Sequence, residues 1–143
     1  MENAMQRAAQ CQCGAVKAQT DAEPQAVVAC SCGWCQRRSG SPIGVLAYFQ
    51  RENVKVSGTP VEFVRAGGSG NAFRNYFCSQ CGTSVYCVSD RTPELVGVAV
   101  GAFADPNFPK PARSVFEDTK HAWLGLSPEI PGHIQGRDSP LAR

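Results

Sequence analysis

The chain has 143 residues, 43% hydrophobic and 18% charged, with a formal net charge of +2. That length fits one domain able to bury a real core, and the composition excludes a disordered chain. The mild charge, whose longest basic run is Arg37-Arg38, argues against nucleic acid as a partner.

Met1–Gln10 holds no apolar stretch of the kind a secretory leader needs, and no segment approaches the ~20 apolar residues of a membrane span. The chain therefore reads as cytoplasmic, with no membrane partner. In that compartment thiols stay reduced, and clustered cysteines are more often metal ligands than disulfides. Residues 1–9 are expected as a flexible N-terminus and 10–126 as the domain. Residues 127–143, with three Pro, two Gly and little apolar content, are expected as a loosely ordered tail.

Taken in chain order, segments rich in β-forming residues are Ala15–Thr20, Val27–Ser31, Ile43–Phe49, Val54–Ser57, Val61–Ala66, Ala72–Cys78, Ser84–Val88 and Leu95–Val100. Val54 and Val56, and Val61 and Phe63, alternate with polar neighbours as half-buried strands do. Ser57-Gly58-Thr59-Pro60 and Gly67-Gly68-Ser69-Gly70 carry turn chemistry between such segments. No segment keeps a helical period for three turns. The best short helix is Gly33–Ser39, closed by Gly40. The fold class is mostly β.

The cysteines carry the chemistry. Of eight, seven fall into three groups: Cys11 and Cys13, then Cys30, Cys32 and Cys35, then Cys78 and Cys81. Residues i and i+2 of a strand share a face, so C-x-C presents two sulfurs to one side. In C-x-x-C followed by Gly, a tight turn curls both sulfurs about one point. Zinc takes about four such ligands at roughly 2.3 Å. Two pairs make one closed four-cysteine site, and the triad is left over with three ligands and an open position, the arrangement of a catalytic zinc. The same residues admit a disulfide framework, a redox reading of Cys32–Cys35, or two closed structural sites, the second completed by Cys87, His121 or His133. Cys87, in a strand-like segment, reads as a small buried hydrophobe.

Cys11-Gln12-Cys13-Gly14-Ala15-Val16, Cys30-Ser31-Cys32-Gly33-Trp34-Cys35-Gln36-Arg37-Arg38-Ser39-Gly40 and Arg74-Asn75-Tyr76-Phe77-Cys78-Ser79-Gln80-Cys81-Gly82-Thr83 together resemble the glutathione-dependent formaldehyde-activating (Gfa-like, CENP-V/GFA) domain. The likeness runs on through Val98–Gly101 and Asp105-Pro106 to Trp123-Leu124. It implies a beta-tent type fold, a complex of small antiparallel coiled sheets stapled by two zinc ions. It implies a structural zinc on Cys11, Cys13, Cys78 and Cys81, and a second, catalytic zinc, more labile, on Cys30, Cys32 and Cys35. It also implies a carbon–sulfur lyase activity of the S-hydroxymethylglutathione synthase kind, the reversible addition of glutathione to formaldehyde. The partners are then a small thiol and a small aldehyde, with Arg37, Arg38 and Arg74 expected to bind the thiol's carboxylates. Many members carry Gly where Gln10 stands and a His-Ile pair where Ser114-Val115 stand. A non-catalytic zinc-binding β module for protein or nucleic-acid interaction is the alternative, and a homo-oligomer stays open.

Overall fold

The computed structural model describes residues 6–68 and 70–142. It divides into two compact units, one of residues 1–25 and 47–108 and one of 26–46 and 109–143. Of the expected flexible N-terminus, residues 1–5 lie outside the described ones, and Arg7–Gln10 is a strand.

The first unit contains a three-stranded antiparallel sheet, β1 (Arg7–Gln10), β2 (Lys17–Thr20) and β5 (Lys55–Ser57), in the order β1-β2-β5. Ala9 pairs with Ala18, and both are fully buried. That pairing converts four short polar-flanked residues into a strand, so β1 exists through its partner and not through propensity. The turn from β5 brings Gly58 against β2's entry. Its φ of +89° and an ideal Cβ position only 2.1 Å from the Ala15 carbonyl oxygen admit no side chain.

The same unit holds β6 (Val61–Ala66), β7 (Ala72–Phe77), β8 (Ser84–Ser89), β9 (Leu95–Ala99) and the end of β4 (Gly44–Gln50), in the order β4-β9-β8-β7-β6. β6 to β9 are joined by antiparallel pairings. Phe49, Val85, Val96 and Val98 are buried, and the neighbouring Cys87 and Val88 are both buried too, so β8 is covered on both faces at its end. Between Tyr76 and Phe77 the β7–β8 register slips, so Tyr76 faces Tyr86 whereas Phe77 faces Ser84. A bulge of this kind bends its strand, and here it lies immediately before Cys78.

The second unit is built on β3 (Ala26–Cys30), which lies between the start of β4 and the parallel β10 (Arg113–Val115). Between β3 and β4 runs α1 (Gly33–Ser39), the single α-helix of the described residues. Its ends follow from local chemistry. Cys32 is the N-cap, its sulfur accepting from the Cys35 amide at 3.4 Å, and Gly40 at φ +68° is the left-handed C-cap.

The expected loose tail is instead tied down. The amides of Phe116, Glu117 and Asp118 donate to the carbonyls of Gln135, His133 and Ile134 at 2.8, 3.0 and 3.1 Å. Ser114 bridges to Gly132, His133 to Leu141, and Ile130 is 5% exposed. Backbone pairing holds this segment where composition alone argues for disorder. No helix among the described residues is long and apolar enough to cross a membrane.

Candidate metal centre

Two groups of sulfurs come together, one in each unit: Cys11, Cys13, Cys78 and Cys81, and Cys30, Cys32 and Cys35. Within each group the sulfurs all lie within 4.8 Å of one another. No disulfide joins any cysteine.

The four-sulfur group is made by two turns of like construction. In the first, the Gly14 amide donates to the Cys11 carbonyl at 3.1 Å, and the Val16 amide donates to Cys11 Sγ at 3.2 Å. In the second, the Gly82 amide donates to the Cys78 carbonyl at 2.9 Å, and the Gln80 amide donates to Cys78 Sγ at 3.3 Å. Gly14 and Gly82 stand at φ +80° and +77°, so each turn closes through a left-handed residue. Cys11 Sγ lies 3.7 Å from Cys13 Sγ, which lies 3.6 Å from Cys78 Sγ. Four sulfurs at ~2.3 Å from a tetrahedral centre stand about 3.8 Å apart, so the spacing and the all-thiol donor set fit a zinc-sized soft cation. Thr83 joins the turns, its Oγ1 accepting from the Gln12 amide at 3.1 Å and lying 3.3 Å from Cys81 Sγ. Hydrogen bonding to that hydroxyl, and then to the Thr83 backbone, draws the Cys81 thiol down to about 5.

In the three-sulfur group, Ala29 and Ser31 lie on the buried face of the strand and its extension, so Cys30 and Cys32 share the opposite one. α1 then carries Cys35 back toward them. Crowding separates the thiols' acidities. Hydrogen bonds from Cys30 and then Cys35 pull Cys32 down to about 2, while the bond Cys30 makes to Cys32 pushes Cys30 far up. On balance Cys35 is also raised: its bond with Cys30 lowers it, but Cys32 and burial outweigh that and the charge of Arg38. A cation held by the three sulfurs would displace their remaining protons. Neither His121 nor His133 joins a group, so the three-sulfur set has no fourth protein ligand among the described residues.

The other expected site residues fall differently. Arg37, exposed, extends over the start of α1, its Nη1 3.4 Å from where a Gly33 Cβ would stand, and has no ion-pair partner among the described residues. Arg38 packs against Gly44, and its charge reaches Cys35. Arg74, expected to bind a substrate carboxylate, already holds two: Nε and Nη2 donate to both Asp90 oxygens at 2.9 and 3.0 Å, and Nη1 lies 3.5 Å from Glu62. Trp34, in the first turn of α1, is half exposed. Cys87, expected as a buried hydrophobe, is 2% exposed and donates to Asn75 at 3.5 Å. Ser114 pairs with Ala29 in the β3–β10 register, one residue off Val115 and Cys30, so its side chain is on the face turned away from Cys30.

Sequence reading missed Thr83 and Gln36. Each directly follows a Cys-Gly or cysteine position, and that adjacency was the available signal. It also missed Thr119, which meets Ser31 88 positions away and leaves no local mark.

The fold and the two sulfur clusters define a mostly β protein of small sheets with two groups able to hold a metal ion. The model of the glutathione-dependent formaldehyde-activating enzyme family matches residues 6–119, and the chain belongs to that family. It is similar in fold to a crystal structure of a Rhodobacter sphaeroides protein, a structural genomics target, with a TM-score of 0.53 and 24% identity over 70% of this chain and 90% of that one. No curated protein matches the chain.

Proposed function

We propose that the protein is a zinc enzyme of the cytoplasm that adds a thiol, glutathione or a relative of it, to a small aldehyde such as formaldehyde, and reverses that addition. The observation that carries this reading is the three-sulfur cluster, which has no fourth protein ligand among the described residues and whose third sulfur, Cys35, is on the same short helix as Arg37 and Arg38. Cys30, Cys32 and Cys35 would hold the second zinc, and Cys11, Cys13, Cys78 and Cys81 the structural one. A zinc ion with three thiolate ligands and an open position supplies an acidified substrate thiol at neutral pH.

The reaction is a redox-neutral addition. The thiol sulfur bonds to the carbonyl carbon, the C=O π pair moves to oxygen, and the proton lost by sulfur ends on that oxygen through solvent. The chain's part is to hold and orient. Arg37 offers an unpaired guanidinium for a carboxylate of the thiol, and Arg38 adds positive charge beside Cys35. Arg74 is left out of the binding set, since Asp90 and Glu62 already neutralise it.

The test is a zinc-replete assay with formaldehyde and several thiols, glutathione first, on the native chain and on Cys32→Ser. The variant should fold, keep one zinc and lose thiol–aldehyde turnover. Full turnover by such a variant removes the catalytic assignment. The exposed Val61, Phe63 and Val64 on edge strand β6 favour the second reading, a non-catalytic module whose zinc serves the fold. A chelator titration separates the two. One labile and one tight zinc supports the enzyme, and two equally tight ions support the module.

A further inference from the structure

The three-sulfur cluster is spaced by Ser31 between its first two cysteines, and the backbone of Ser31 is held at both its amide and its carbonyl. The Ser31 amide donates to the Val115 carbonyl at 3.2 Å. Its carbonyl accepts from two side chains at once, Gln36 Nε2 at 2.8 Å and Thr119 Oγ1 at 2.9 Å. Gln36 follows Cys35 in α1, so one amide side chain links the helix bearing the third sulfur to the residue separating the other two.

Gln36 has a single orientation. Its Nε2 faces two carbonyls, Ser31 at 2.8 Å and Thr119 at 3.3 Å, neither of which can donate. Its Oε1 therefore meets His121 Nε2 at 3.0 Å, and that ring nitrogen carries the proton. All of these groups lie in the second unit, and none of them is a sulfur ligand.

We propose that Gln36 and Thr119 are positioning residues that set the spacing of the three sulfurs by clamping the Ser31 carbonyl. The inference rests on the reading of Cys30, Cys32 and Cys35 as a metal site. With the clamp intact, the Cys30–Cys32 peptide is locked before a cation arrives, and less ordering is needed on binding. Without it, Cys30 and Cys32 keep their identity but lose a fixed separation from Cys35.

Cobalt(II) is the probe, titrated into the metal-free full chain under reducing conditions. Thiolate-to-cobalt absorption and a competing chelator then give the affinity of each site. The native chain should bind two equivalents. Gln36→Leu and Thr119→Val should each weaken the three-sulfur site by about 10–100-fold, the usual effect of losing an outer hydrogen bond at a metal site. The four-sulfur site should stay within about twofold and so report that the variant is folded. Thr119→Ser, which keeps the hydroxyl donor, should restore native affinity and the native visible bands, which a loss of bulk stability would not produce. Native affinity at the three-sulfur site in Gln36→Leu and Thr119→Val overturns the clamp. A single equivalent of cobalt in the native chain overturns the metal reading of the triad, and the clamp with it.

Discussion

Gly58 stands at φ +89° with the Ala15 carbonyl oxygen 2.1 Å from any Cβ, and the neighbour is backbone that cannot swing aside. Gly58→Ala should therefore cost more than the ~1–3 kcal/mol of a left-handed residue alone, read as a fall in the chemical denaturation midpoint. Gly82, at φ +77° with open space around it, bears only the conformational term, so Gly82→Ala should be the milder change. Ser114 is fully buried, and its side chain is on the face turned away from Cys30. Introducing by Ser114→His the histidine that the resemblance places at this position should overpack that face and destabilise by about 1–3 kcal/mol, without raising turnover with formaldehyde. A rise in turnover would show that the imidazole reaches the three-sulfur site after all.

At the scale of elements, the β7–β8 hairpin carries a charge cluster with a defined pH signature. The Arg74 guanidinium, by hydrogen bonding and then by charge, holds the Asp90 carboxyl below its ordinary value. A depressed carboxylate stabilises the fold above its unfolded value of about 4, and that contribution is lost as pH falls through the lower folded value. Asp90→Asn should thus lower the urea midpoint at neutral pH, with the gap to the native chain closing as pH falls below the unfolded value of about 4 and through the lower folded one. Both partners are partly exposed, so the effect is small. The C-terminal segment makes a larger claim. Ile130 is 5% exposed on a segment whose backbone pairs with Ser114 and with residues 116–118. Ile130→Ala should cost about 2–5 kcal/mol by thermal unfolding, where a loose tail would show no change.

For the whole molecule, the proposed function divides stability from chemistry between the two sulfur groups. The four-sulfur group joins turns whose cysteines lie 65 positions apart at the Cys13–Cys78 contact, so a cation there closes a long loop. Graded chelation should remove one metal with turnover lost and far-ultraviolet circular dichroism kept, and the second only together with the fold. Simultaneous release of both would argue for two structural sites.

What could be read from the residues was what short-range physics controls. Helix α1 occupies Gly33–Ser39 with Gly40 as its cap, as expected, because N-cap, C-cap and helix lie within a few residues. The spacing of C-x-C and C-x-x-C likewise determines that each pair presents its sulfurs together, and the resemblance supplied the grouping. The remainder was invisible for one reason. β1 and β10 are four and three residues long and exist only through their partners, and the 127–142 segment is ordered by a strand it meets after a long excursion. Only the tertiary structure decided that Arg74 is committed to Asp90, and that Gln36, Thr119 and Ser31 converge behind the three sulfurs. Spacing sets which sulfurs travel together. Long-range pairing, whose closure entropy no local signal records, sets what they meet.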